Sequence, residues 1–92
     1  MTQPTDVICR AEGPRWVCSV RVGDDPAATH HEVTVSRDLL GRMRPGAAEP
    51  DELIRDSFAF LLEREPRETI LRSFDLPVIR RYFPEWEREF AR

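Results

Sequence analysis

The run Trp16-Val17-Cys18-Ser19-Val20-Arg21-Val22 repeats with a period of two, and this constrains the chain more than any other feature. A strand sends successive side chains to opposite faces. Trp16, Cys18, Val20 and Val22 therefore share one face, and Val17, Ser19 and Arg21 share the other. Upstream, Val7-Ile8-Cys9 leads into Ala11-Glu12-Gly13-Pro14-Arg15. A four-residue loop from Glu12 to Arg15 sets Ala11 opposite Trp16, Cys9 opposite Cys18 and Val7 opposite Val20. All six then lie on the apolar face, whereas a slip of one residue would turn one strand's set to water. The pattern predicts a β-hairpin with strands near 7–10 and 16–22.

Gly23-Asp24-Asp25-Pro26 is a turn signal, and a polar loop follows to His30. A third strand is predicted over 31–36, with Val33 and Val35 inward and Glu32 and Thr34 outward. The first half thus reads as a three-stranded antiparallel meander with one buried face.

Helices are predicted over 37–43, 50–64, 66–73 and 76–83. Ser36 suits an N-cap, with Asp38 in the first turn and Leu39, Leu40 and Met43 as a short apolar stripe. Pro50 suits a first helical position, where no N–H is needed, and Asp51 and Glu52 complement the positive helix end. Ile54, Phe58, Leu61 and Leu62 then form a core stripe, with Leu53 at its edge and Phe60 off it. Pro66 ends that helix and opens another carrying Ile70, Leu71 and Phe74. Asp75 caps the next, with Val78, Ile79, Tyr82 and Phe83, and Pro84 breaks it. Strands followed by helices indicate α+β, with the helices packed on one face of the sheet.

The 92 residues fit one domain, 1–92. All fourteen basic residues are arginine, which suits bidentate recognition of carboxylate or phosphate. Their distribution opposes that use on nucleic acid. Residues 1–46 carry six Arg and six acids, and residues 47–92 carry eight Arg and eleven acids, so neither half has the positive excess a phosphate backbone demands. The first ten residues, MTQPTDVICR, lack the basic and apolar regions of a signal peptide, and no apolar run reaches the length of a membrane span. Two cysteines make no disulfide framework. The expectation is a cytoplasmic protein with reduced thiols.

Cys9, Cys18, His30 and His31 are the one set of soft metal ligands. Adjacent histidines on a strand face opposite ways, and the cysteines lack C-x-x-C spacing, so no metal site is expected and each thiol fits as a small buried side chain. The two histidines read as exposed. Ser19, Ser36, Ser57 and Ser73 lie in no nucleophile elbow, and the four glycines form no phosphate loop. No catalytic residue, cofactor or small-molecule substrate is assigned, and no enzyme activity is expected.

Phe74, Tyr82, Phe83, Trp86 and Phe90 place five of the eight aromatic residues in the last nineteen positions. Either they seal a core that the meander cannot fill alone, or some form an exposed anchor patch. Phe74, Phe83, Ile70, Val78 and Ile79 are expected in the core. Tyr82, Trp86 and Phe90 are the candidates for a protein-binding patch.

The run FLLEREPRETILRSFDLPVIRRYFPEWE, from Phe60 to Glu87, resembles a family of short uncharacterised bacterial proteins. Arg64-Glu65-Pro66 and Tyr82-Phe83-Pro84 are its most distinctive pieces, and the resemblance implies no activity or site residue. The chain is also similar to HicB-like antitoxins and ribbon-helix-helix repressors. That similarity implies a ribbon at His31 to Ser36 and helices at 37–43 and 50–64. The chain departs from it in the short first helix, in Glu32, which would face the bases, and in Asp51 and Glu52, which stand where a helix should greet a phosphate. The leading expectation is a non-catalytic binding or accessory domain acting through a protein partner or self-association. The alternative is an antitoxin-like or DNA-associated regulator.

Overall fold

In the computed structural model, which describes residues 4–90, four strands form a single mixed sheet in the order β1-β2-β3-β4. They are β1 (Thr5–Glu12), β2 (Arg15–Val22), β3 (Thr29–Ser36) and β4 (Ser73–Asp75). The helices are α1 (Arg37–Met43), α2 (Asp51–Leu62), α3 (Ile79–Tyr82) and α4 (Glu85–Phe90), with single 3-10 turns at Arg67–Thr69 and Leu76–Val78. The architecture is small α+β.

The meander follows the expected register, with Cys9 opposite Cys18, Val7 opposite Val20 and Ala11 opposite Trp16. The hairpin loop is tighter than expected, because Glu12 and Arg15 themselves pair. Gly13 takes φ +62°, and Pro14 has its φ held negative by its ring, so the two residues make the II′ type of turn whose twist matches the strands. Val7, Cys18, Val20, Val22, Val33 and Val35 form the buried face of the sheet. Cys9 and Cys18 are joined as a disulfide, so the expectation of two reduced thiols is corrected. Their Cα atoms lie 4.0 Å apart, which marks the close, non-hydrogen-bonded kind of antiparallel pair.

Ser36 caps α1, its Oγ accepting from the Leu39 N–H at 3.0 Å, and this helix spans the residues expected. Arg44, just beyond it, is buried and reaches Asp56 on α2 at 2.8 Å. Helix α2 is shorter than the expected 50–64. Pro50 is its N-cap, and the N–H groups of Arg64 and Glu65 both turn back to the Leu61 carbonyl at 2.9 Å. Pro66 disfavours helical backbone at Glu65 and so enforces the stop. Phe60, expected off the core stripe, is buried. Its ring meets Phe83 edge-on at 5.9 Å, because α2 packs against β1 on one side and α4 on another and so needs a wide apolar arc.

The expected helix over 66–73 is absent, and this is the largest correction. A single turn at Arg67–Thr69 gives way to extended backbone at Ile70, and Ser73–Asp75 becomes β4. This strand pairs parallel with β3, Val33 standing opposite Phe74, so the sheet has four strands and is mixed rather than a three-stranded antiparallel meander. The parallel connection requires a crossover, which α1 and α2 supply. The physical reason is the far edge of β3: its backbone groups are satisfied by pairing, whereas a short helix packed beside it would leave them bare. Three ties hold the seam. The Glu32 N–H donates to the Arg72 carbonyl at 2.8 Å, the Thr34 hydroxyl donates to Asp75 at 2.7 Å, and His31 reaches the Leu71 carbonyl.

The expected helix over 76–83 is present as the 3-10 turn running into α3. Ile70, Leu76, Ile79 and Trp86 close the core from this side, with Phe74 and Phe83 partly buried against it. At the other end of the sheet Arg67 staples the β2–β3 turn to the 67–69 turn through Asp25 at 3.0 Å, lying against Gly23. Its guanidinium holds the Asp25 carboxyl below the usual carboxylate range.

Candidate functional site

A cleft of about 180 Å³, lined mainly by apolar side chains, lies between the end of α2, the 69–74 segment and α3. Its formation follows from the sequence. Pro66 turns the chain away from α2, the extended stretch runs to β4, and Pro77 at the start of the next turn sends α3 back across the opening. Leu61, Ile70, Phe74 and Ile79 supply the floor and walls. Glu65 and Thr69 bring the polar atoms. The Thr69 hydroxyl lies 2.7 Å from Glu65 Oε1 and 2.8 Å from the Pro66 carbonyl, so its one proton serves two acceptors. A concave apolar lining with few polar atoms is what a binding site for an apolar group requires.

Two large side chains stand in water at this cleft, Leu71 at 47 % exposure and Tyr82 at 66 %. Tyr82 is thus on the surface, as a patch residue must be. Trp86 is not: it is fully buried, and its indole N–H donates to Ser57 Oγ at 3.0 Å. Its assignment to a surface patch is corrected, because α4 turns the ring into the core against α2. The Phe90 side chain lies outside the described part of the chain. Leu71 was missed because a helix over 66–73 would have grouped it with Ile70 and Phe74 as core. The extended backbone separates them, burying Ile70 and exposing Leu71.

The histidines part company. His30 is exposed on the outer sheet face, whereas His31 is buried, contrary to the expectation that both are exposed. His31 lies on the same face as Val33 and Val35, with its ring 5.3 Å from that of Phe58. Its Nδ1 sits 2.7 Å from the Leu71 carbonyl and its Nε2 2.9 Å from Thr29 Oγ1. A carbonyl only accepts, so Nδ1 carries the proton and Nε2 accepts from the Thr29 hydroxyl. Burial, opposed by that backbone bond, lowers the imidazole pKa from its ordinary value, so the ring is held neutral. The ring thus ties β3 to the 69–74 wall of the cleft.

Several of the groups weighed from the sequence have structural roles instead. The sulfurs of Cys9 and Cys18 bond each other, Ser36 caps α1, and Ser57 receives the Trp86 N–H. No group of three or more His, Cys, Asp or Glu able to hold a metal occurs among the described residues. No helix among them is long and apolar enough to cross a membrane. The strand likened to a repressor ribbon, β3, is paired with β2 along its length and with β4 at Glu32–Thr34.

The fold and cleft define a small α+β domain with a four-stranded mixed sheet and an apolar cleft at one flank. No protein-family model, no curated protein and no solved structure matches the chain.

Proposed function

We propose that this chain is a non-catalytic binding domain whose cleft seats an apolar side chain of a protein partner. The observation that supports this most directly is the placement of Leu71 and Tyr82, two large side chains held in water beside an apolar cavity. Folding draws such groups inward wherever it can, and tyrosine at a surface hollow joins apolar area to a hydroxyl that tolerates solvent. A partner side chain entering the cleft would cover both rims, with the Glu65–Thr69 pair offering acceptors at its edge.

The test places a photo-crosslinking amino acid at position 82 in the native cell. A discrete crosslinked species is expected, and Leu71→Asp abolishes it without lowering the melting temperature, since Leu71 is half in water already. A crosslinked species unchanged by Leu71→Asp, or none at all, refutes the reading.

A further inference from the structure

A second surface is independent of the cleft. Strand β1 is an edge of the sheet, and its outer backbone groups face away from β2. Two observations identify them. Cys9 and Cys18 form a close, non-hydrogen-bonded pair, and the Gly23 N–H donates to the Pro4 carbonyl at 2.8 Å. The even-numbered residues of β1 therefore bond β2, while Thr5, Val7, Cys9 and Ala11 turn their N–H and C=O groups outward. None of these groups has a backbone or side-chain partner among the described residues. Apart from the charges Asp6, Arg10 and Glu12 on its outer face, the strand has few of the devices that blunt such an edge: it runs eight residues, without proline, without a bulge in its register and without an inward-pointing charge. The opposite edge, β4, is only three residues long.

We infer that two copies of this chain pair through β1, antiparallel about a two-fold axis at Ile8, joining their sheets into one. The hydrogen-bonding pattern and the side chains select this register together. With the axis at Ile8, the outward groups of Val7 meet those of the partner's Cys9, and those of Thr5 meet those of the partner's Ala11. The even residues then form the close pairs on the outer face. Ile8, 74 % exposed and the most exposed large apolar side chain described, meets its own copy. Asp6 meets the partner's Arg10 twice over, by symmetry. Each ion already has a neighbour in its own sheet, Asp6 with Arg21 at 2.6 Å and Arg10 with Glu12 at 2.7 Å. The interface therefore carries an alternating row of charges, Glu12, Arg10, the partner's Asp6 and the partner's Arg21. The neighbouring registers that keep the hydrogen bonds fail on side chains. One sets Asp6 opposite Ile8. The other sets Asp6 opposite Glu12 and Ile8 opposite Arg10. Cross-strand pairs of like charge are destabilising, and opposite charges are favoured. The occupant these features fit is the chain itself.

The experiment is sedimentation velocity on the purified protein over a concentration series up to millimolar, with native mass spectrometry of mixtures. The wild type is expected to dimerise with rising concentration. Asp6→Arg makes both positions basic and Arg10→Asp makes both acidic, so each variant alone should dimerise about tenfold more weakly. Mixed, they should form the heterodimer preferentially, since every close pair becomes opposite again. Ala11→Pro should abolish dimerisation while leaving the thermal melt unchanged, because Ala11 is exposed and its N–H serves no bond within the monomer. A wild type that stays monomeric throughout overturns the inference. So does a dimer that survives Ala11→Pro, or charge variants that do not complement each other. Crosslinking from position 82 is expected to be indifferent to Ala11→Pro, so failure here and failure of the cleft reading are separate results.

Discussion

Replacing Trp86 tests the deepest part of the packing. The ring is fully buried, and its N–H is bonded at 3.0 Å to Ser57 Oγ, itself fully buried on α2. Trp86→Ala removes the largest fully buried side chain of the domain and leaves a cavity that α4 and α2 can only partly close. The expected loss is about 3–5 kcal/mol, against a total near 5–15 kcal/mol for a domain of this kind. The polar bond can be separated from the volume. Ser57→Ala strands a buried indole N–H, and Trp86→Phe strands a buried hydroxyl and loses some volume; each should cost about 1–3 kcal/mol for the unmet polar group. In the double variant Trp86→Phe/Ser57→Ala neither group is stranded, so its loss should fall short of the sum by ~1 kcal/mol or more. Urea denaturation followed by circular dichroism measures the four variants and the wild type. A Trp86→Ala midpoint close to wild type would refute the burial. Strict additivity in the cycle would refute the bond.

The buried His31 makes stability fall on acidification. Its folded pKa lies below the unfolded value of 6.5, so under acid the unfolded chain binds more protons, and stability declines as pH drops through about 6.5 towards the folded value. Chemical denaturation between about pH 7 and pH 5 should show this slope, and His31→Gln should flatten it; equal slopes in the two proteins would contradict the neutral, desolvated ring. The Cys9–Cys18 bond closes a short loop, with a sequence separation of 9, so reducing it should cost about 2–3 kcal/mol by the chain-entropy relation. A thiol assay on the unfolded, unreduced protein should find no free sulfhydryl, and finding two would refute the bond.

The hairpin register was legible because period-two alternation and the turn residues Gly13 and Pro14 acted on neighbouring segments. The same logic located Ser36 as a cap, since capping is decided within one turn. What stayed hidden depended on distant partners. Ser73–Asp75 has no strand signature of its own and is a strand because β3 offered an open edge. Phe60 looked misplaced on a one-sided helix and is buried because α2 is covered on two sides. His31 has the parity of Val33 and Val35, a signal that it points inward, but its polarity masked that signal until Thr29 and Leu71 supplied the matching groups. Trp86 and Tyr82 are both C-terminal aromatics, and only the direction in which α4 leaves Pro84 separates them. The cleft itself was not legible, because its extended wall occupies the stretch whose spacing suggested a helix.

The parallel attachment of β4 has a consequence for how the chain assembles. The meander closes between segments adjacent in sequence, whereas Thr34 and Asp75, bonded across the last seam, are 41 positions apart. Pairing over such a span carries a loop-closure cost that local pairing avoids, and so comes late. Until the crossover helices dock, a nascent meander presents bare backbone along both β1 and β3. During that interval it is a template for joining other unfinished chains. Three residues of β4, held to His31, Glu32 and Thr34 of β3 through the Leu71 carbonyl, the Arg72 carbonyl and the Asp75 carboxylate, cover that edge at Glu32–Thr34. A molecule that has docked β4 has the β3 edge covered at Glu32–Thr34 and keeps the eight-residue edge of β1 open.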